Sequence, residues 1–391
     1  MNSFYQQCFI SFCLCILSGF SSCSGELEKK QDVIAQRTLL VYLAGDNNLS
    51  DEVWQKIDAL VGGWHNASDN LLIYQDSRGE RATPSLMKVI GDGVDPYTQV
   101  VKEYPEANSA DPAFFSGVLR DALNAFPSAS YGLLLFSHGT GWLPKGSFRS
   151  IMDDVGREME IVDFAAAIPD GQFDFIALEA CLMASAEVAF ELRNKADYLL
   201  ASSAEILSPG FTPVYAEMLP ALFSQPKAVL SEAAGSYFCY CNNLEIPYRS
   251  ATISVVRLDK MNALAEAMRK VYALLPEELP SAALHQLQHF DRSDTPRFFD
   301  AGNLIAYVAT ISGTESRAVA EEAAKALQEA VVYKAATPFF INLPVHSHSG
   351  LTIYIGQAAY PTLNTAWQQT GWGRVVNQRI SNQAKLSNQY E

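Results

Sequence analysis

YGLLLFSHGTGW (131–142) and FDFIALEACLM (173–183) are the stretches whose reading decides the fold. Each contains an apolar run of strand length, and each run stops at a reactive side chain among small residues, His138 in the first and Cys181 in the second. Short apolar runs without alternation are those of strands buried on both faces. Such a strand has no structural need of an imidazole or a thiol at its tip, whereas a thiol beside an imidazole is a familiar way to make a nucleophile. Gly139 and Gly141 would let a substrate backbone approach His138 closely. The amides of Gly139 and Cys181 could together form an oxyanion hole. LMASAEVAFEL (182–192) reads as a helix opening at Cys181, whose dipole would lower the thiol pKa.

Outward from these two stretches, the chain alternates strands and helices. TLLVYLAG (38–45), NLLIYQD (70–76), SLMKVIGDG (85–93), ADYLLASSAE (196–205) and ATISVVRL (251–258) are strand candidates. LSDEVWQKIDALVGGW (49–64), FFSGVLRDALNAF (114–126) and REMEIVDFAAAI (157–168) have helical spacing. Alternation of this kind predicts an α/β fold, a mainly parallel sheet flanked by helices. Active groups in such sheets gather at the carboxyl ends of strands, where His138 and Cys181 stand. From residue 259 the texture turns helical and Ala-rich (KMNALAEAMRKVYALL, 260–275; SRAVAEEAAKALQEAVVYKA, 316–335), with GLTIYI (350–355) as a returning strand. The expected organisation is a leader at 1–22, a tether at 23–36, a core at 37–258 and a mainly helical C-terminal region at 259–391.

Composition sets the outer limits. The 391 residues are 49% hydrophobic and 18% charged, enough apolar material for a sizeable core. A formal net charge of −15 argues against a nucleic-acid partner, because phosphate binding relies on basic patches. Of seven cysteines, Cys8, Cys13, Cys15 and Cys23 fall in the first 23 residues, which leaves too few for a disulfide framework. FYQQCFISFCLCILSGF (4–20) reads as an export signal, although no Lys or Arg precedes it. The run Gly19-Phe20-Ser21-Ser22-Cys23 has the form of a bacterial lipobox, making Cys23 a lipidation site and the product an exported protein held on a membrane, at the outer membrane or cell surface. His346 and His348 have a strand-face spacing without a matching third ligand, so no metal is expected; His65, His285 and His289 read as surface residues, and Cys239 and Cys241 as packing residues. No cofactor is called for, and a Ca²⁺ requirement is left open.

With these residues in view, the sequence resembles the clostripain family of cysteine peptidases (peptidase family C11), in particular a lipoprotein branch found in Bacteroides-like bacteria. The resemblance is carried by LVYLAGDNNL (40–49), LLLFSHGTGWLP (133–144), MEIVDFAAAIP (159–169), the 173–202 stretch and SGLTIYI (349–355). The His-to-Cys separation, 181 − 138 = 43 residues, is also near the roughly 50 seen in caspases. The resemblance implies a caspase-like core, a dyad of His138 and Cys181 without an obligatory third member, and cleavage of peptides after Arg or Lys. It implies self-processing between the dyad residues, for which Lys145, Arg149 and Arg157 are candidates. Substrate contacts would fall to Glu179, Ser137, Asp46, Ser203 and Glu205. Glu179 stands where the family commonly has Asp, and Ala201–Glu205 departs from the family's usual acidic pair. The competing expectation is a catalytically silent surface lipoprotein that binds peptides or proteins on the same scaffold; a transpeptidase using the same acyl-enzyme is a third.

Overall fold

The computed structural model describes residues 34–78, 83–145, 151–225, 228–276, 279–311 and 313–377. The leader, Cys23 and Arg149 lie outside these residues. In chain order the strands are β1 (Ala35–Ala44), β2 (Asn70–Asp76), β3 (Ser85–Ile90), β4 (Tyr97–Glu103) and β5 (Ser128–Phe136). A hairpin of β6 (Met152–Asp154) and β7 (Arg157–Met159) follows, then β8 (Phe173–Glu179), β9 (Ala196–Ala201), β10 (Thr252–Arg257), β11 (Phe299–Asp300) and β12 (Val331–Ala336).

Nine of these form one sheet in the order β12-β10-β9-β8-β5-β1-β2-β3-β4. The central strands β9, β8, β5, β1 and β2 run parallel. The pairs β2–β3, β3–β4, β9–β10 and β10–β12 are antiparallel. The parallel centre reads as continuous apolar sequence because both of its faces are covered. Successive residues of a strand point to opposite faces, and the core divides accordingly. Leu39, Val41, Leu43, Leu134, Phe136, Phe175 and Ala177 face one layer. That layer contains α1 (Ser50–Gly62), and Leu40, Tyr42, Leu133, Leu135, Ile176 and Leu178 face the other, which contains α2 (Pro112–Ala125), α3 (Ile161–Ala167) and α4 (Ala186–Glu191). The first layer is completed by α5 (Tyr215–Phe223) and α6 (Leu230–Asn242). The second is extended by α7 (Met261–Leu274), then, past α8 (Ser281–Gln286), by α9 (Ala301–Thr310), α10 (Thr314–Ala330), α11 (Pro361–Gln369) and α12 (Gly371–Val376).

Residues after 259 share one compact unit with the core from Ile34 onward, since β12 pairs with β10 inside the main sheet while α7 and α10 cover it. Two expectations change here, both within individual elements. VVYKA leaves the Ala-rich helix and becomes β12, since two successive valines are stiff at χ1 and favour the extended backbone. REM (157–159), expected as helix, is instead β7, and the helix begins at Ile161.

Candidate active site

The register between β5 and β8 sets the geometry. Phe136 lies opposite Glu179, the last residues of two neighbouring parallel strands. His138 and Cys181 each stand two residues beyond that pair, so equal overhangs bring both functional groups to the same end of the sheet. The loops are then pressed together by glycine. A Cβ at Gly139 would lie 2.9 Å from the Ala180 Cβ, 3.0 Å from the Cys181 carbonyl oxygen and 3.0 Å from the Met183 sulfur. Gly141, at φ +65°, would bring a Cβ within 2.8 Å of the Leu182 carbonyl oxygen. Leu182 itself has φ +62°, a conformation that costs a non-glycine residue about 1–2 kcal/mol. Such strain concentrates at functional sites.

His138 and Cys181 are both half-buried and line a cleft of about 900 Å³ with Gly139, Thr140, Glu205 and Arg292. The His138 Nε2 lies 2.7 Å from the Asn48 Oδ1, a contact that orients the ring. Asn48 comes from the turn after β1, in which sequence reasoning singled out Asp46 and not Asn48. The Cys181 thiol points to the Ile206 carbonyl oxygen at 3.9 Å. Burial pushes its pKa up to about 11; the Glu205 carboxylate raises it further, while the Ile206 carbonyl contact and the Arg292 guanidinium lower it. The lowering expected from a helix dipole is absent because α4 starts only at Ala186, capped by the Ser185 hydroxyl. The thiol is therefore held protonated at neutral pH. Among the described residues, the amides of Gly139 and Cys181 donate to no acceptor.

The other predicted residues scatter. Glu205 lines the cleft; its Oε1 receives the Arg292 guanidinium at 3.1 Å, and its Oε2 is buried without a partner among the described residues. Glu179 does not reach the cleft wall. It is 2% exposed, and its carboxylate receives the Lys56 ammonium at 2.5 Å, the Phe211 amide at 2.6 Å and the Tyr215 hydroxyl at 2.5 Å. Gly210 packs so closely that a Cβ there would sit 2.2 Å from the Glu179 Oε1. A carboxylate that is 2% exposed and already neutralised by the Lys56 ammonium is not placed to meet a substrate cation in the cleft. Ser137 and Ser203 are buried; Ser137 accepts from the Asp153 amide at 3.3 Å, and Ser203 meets the His348 ring at 3.2 Å. Asp46 pairs with Arg78 at 2.8 Å, away from the cleft. Lys145 and Arg157 are exposed between the dyad residues, their charges set 3.7 Å from Asp163 and 3.9 Å from Asp154.

Sequence reasoning missed the far wall of the cleft. Asp291, Arg292, Arg297 and Tyr360 line it, yet they lie more than 100 residues after Cys181 and carry no local signal. Arg297 pairs with Asp291 at 3.4 Å, fixing the loop that presents Arg292. Burial lowers the His348 pKa to about 3, with Lys334 adding to the shift, and the His346 amide donates to the Gln288 Oε1 at 2.7 Å.

Residues 41–368 match the sequence profile of the Clostripain family. The chain belongs to that family. Solved structures agree with the assignment. An inactive zymogen C11 protease from Parabacteroides distasonis superposes with a TM-score of 0.75 at 30% identity, covering 88% of this chain and 98% of that one. A secreted C11 cysteine protease from Bacteroides thetaiotaomicron, solved with an irreversible peptide inhibitor, superposes with a TM-score of 0.74 at 25% identity, covering 88% and 99%. Clostripain from Hathewaya histolytica is 26% identical over 212 residues, 44% of this chain. The match spans 40% of that relative's length. No helix of the described residues is long and apolar enough to cross a membrane.

Proposed function

We propose that the protein is a cysteine endopeptidase in which Cys181 is the nucleophile and His138 the general base and acid. The observation that carries this reading is the equal overhang of the two residues past the register pair Phe136–Glu179, over one cleft. As the sulfur attacks the scissile carbonyl, its proton passes to His138, which returns it to the leaving amine; water then hydrolyses the acyl-enzyme with His138 as base. The amides of Gly139 and Cys181 are the candidate oxyanion donors, each worth about 3 kcal/mol in the transition state. Asn48 acts as a positioning residue that holds the ring. The B. thetaiotaomicron structure with its peptide inhibitor supports a peptide substrate.

Selectivity for Arg or Lys at P1 belongs to the same reading, with Glu205 as the acceptor carboxylate in place of Glu179. Arg292 covers Glu205 until a substrate cation displaces it. Self-processing belongs to the same reading, with cleavage at Lys145, Arg149 or Arg157 between the dyad residues. The leader and Cys23 are assigned to export and lipid anchoring on a bacterial membrane. The test is Cys181→Ala with peptide substrates carrying Arg or Lys at P1, together with mass spectrometry of wild type exposed to a peptide electrophile. Loss of cleavage and a Cys181 adduct are expected; cleavage at the wild-type rate would overturn the assignment, and absence of any adduct would favour a silent binding scaffold.

A further inference from the structure

The cleft walls carry a charge balance that the attack on the scissile bond does not use. The lining holds two acids, Glu205 and Asp291, and two guanidinium groups, Arg292 and Arg297. Asp291 is fully engaged by its own loop. It is buried, and its oxygens accept the Arg297 and Phe298 amides at 3.1–3.2 Å and the Arg297 Nε at 3.4 Å. Glu205 is held less completely. Its Oε1 receives the Nε and the Nη2 of Arg292, each at 3.1 Å, while its Oε2 is buried with no hydrogen-bond partner among the described residues. The Glu205 side chain is 22% exposed and that of Arg292 45%, so a ligand in the cleft can reach the pair. Both groups act on the Cys181 thiol, Glu205 raising its pKa and Arg292 lowering it, which places the pair beside the scissile bond. Asp294, two residues after Arg292, is exposed and is not part of the lining.

We propose that Arg292 selects peptides carrying an acidic residue two positions from the basic P1 residue, at P3 or P2′. The inference rests on the reading of Glu205 as the acceptor for a P1 cation. Once that cation is bound, one carboxylate faces two cations. Asp291, already engaged by Arg297 and the Phe298 amide, supplies no second one. A guanidinium left without a counter-charge in a partly desolvated cleft is unfavourable. A substrate carboxylate restores the balance, and the planar fork of an arginine holds it in two hydrogen bonds. An extended peptide turns side chains two residues apart to the same side. P3 and P2′ therefore share the P1 side, within reach of the long Arg292 side chain. With an uncharged P1, Arg292 keeps Glu205 and gains nothing from an acid. The substrate class is thus a peptide in which an acid and an Arg or Lys are separated by one residue.

The experiment is steady-state cleavage by the full chain of internally quenched peptides that combine Arg or norleucine at P1 with Glu, Gln or Lys at P3, and in a second series at P2′. For the wild type, Glu at one of these positions should raise kcat/KM about two- to fivefold over Gln when P1 is Arg, and should change nothing when P1 is norleucine. That gain should vanish in Arg292→Gln and reverse in Arg292→Glu, with Lys then preferred to Glu. It should also shrink in about 1 M NaCl, where the screening length falls to about 3 Å. A purely structural role for Arg292 would lower every activity alike and leave the dependence on both charges in place. No gain at either position, a gain of equal size for both P1 residues, or a gain that survives in Arg292→Gln would overturn the proposal while leaving the P1 reading intact. Equal cleavage of the Arg and norleucine peptides by the wild type would overturn the P1 reading, and the proposal with it.

Discussion

The protonation state of Cys181 governs what the site can do at rest. With the thiol pushed up to about 11, the thiolate fraction at pH 8 is on the order of 0.1%, and the thiolate is the reactive form. The rate of Cys181 alkylation by a small electrophile should therefore climb tenfold per pH unit from pH 7 to pH 10; a plateau near pH 7 would contradict the structure. Arg292 lowers that pKa and also covers Glu205. Arg292→Ala should make small-molecule alkylation slower at fixed pH. The same substitution should lower KM for P1-Arg peptides about two- to fivefold, the worth of a partly exposed ion pair. Asn48→Ala removes the 2.7 Å contact between Asn48 and the His138 ring. Since general acid–base catalysis contributes roughly 10²–10⁴-fold, losing its alignment should reduce kcat at least about tenfold while KM stays near wild type. Steady-state kinetics on a chromogenic peptide would check both.

At the scale of elements, the join between α1, α5 and the end of β8 rests on a buried ion pair. Lys56 and Glu179 have almost fully buried side chains 2.5 Å apart, and the Lys56 ammonium lies 4.1 Å from the centroid of the Phe136 ring. Removing one member of such a pair strands the other, so Lys56→Ala should destabilise by about 3–5 kcal/mol. Replacing both with apolar residues should recover most of that loss, because the pair's own desolvation largely offsets its attraction. Denaturant unfolding of the single and double variants would separate the two effects. The placement also explains why Glu179 misled sequence reasoning. Being two residues before Cys181 suggested a substrate contact, but strand alternation turns it toward the layer opposite α4, where α1 supplies its cation. Nothing near residue 179 announces a lysine at position 56.

For the whole molecule, the C-terminal third closes both the sheet and the cleft. β12 covers the outer edge of β10, and the 291–297 loop with Tyr360 walls the site. A chain ending at residue 258 would leave the outer edge of β10 unpaired and would lack Leu264, Met268, Leu304 and Leu327 of the core. An exposed flat edge strand templates association, so a chain of residues 34–258 should be recovered as insoluble aggregate, whereas one of residues 34–391 should stay in the supernatant; sedimentation of the two expression products checks this.

The sequence by itself determined the parallel centre of the sheet and the two loop residues, His138 and Cys181, that stand past its ends. Apolar run length, glycine placement and helical spacing are local signals, and local signals survive in one dimension. Only the tertiary structure decided how those residues are tuned. The raised thiol, the Asn48 contact, the capture of Glu179 by Lys56 and the covering of Glu205 by Arg292 all depend on side chains brought together from separations of 87 to 123 residues or on burial by distant elements. Charge and solvation act through space, so their effects appear only once the chain has folded.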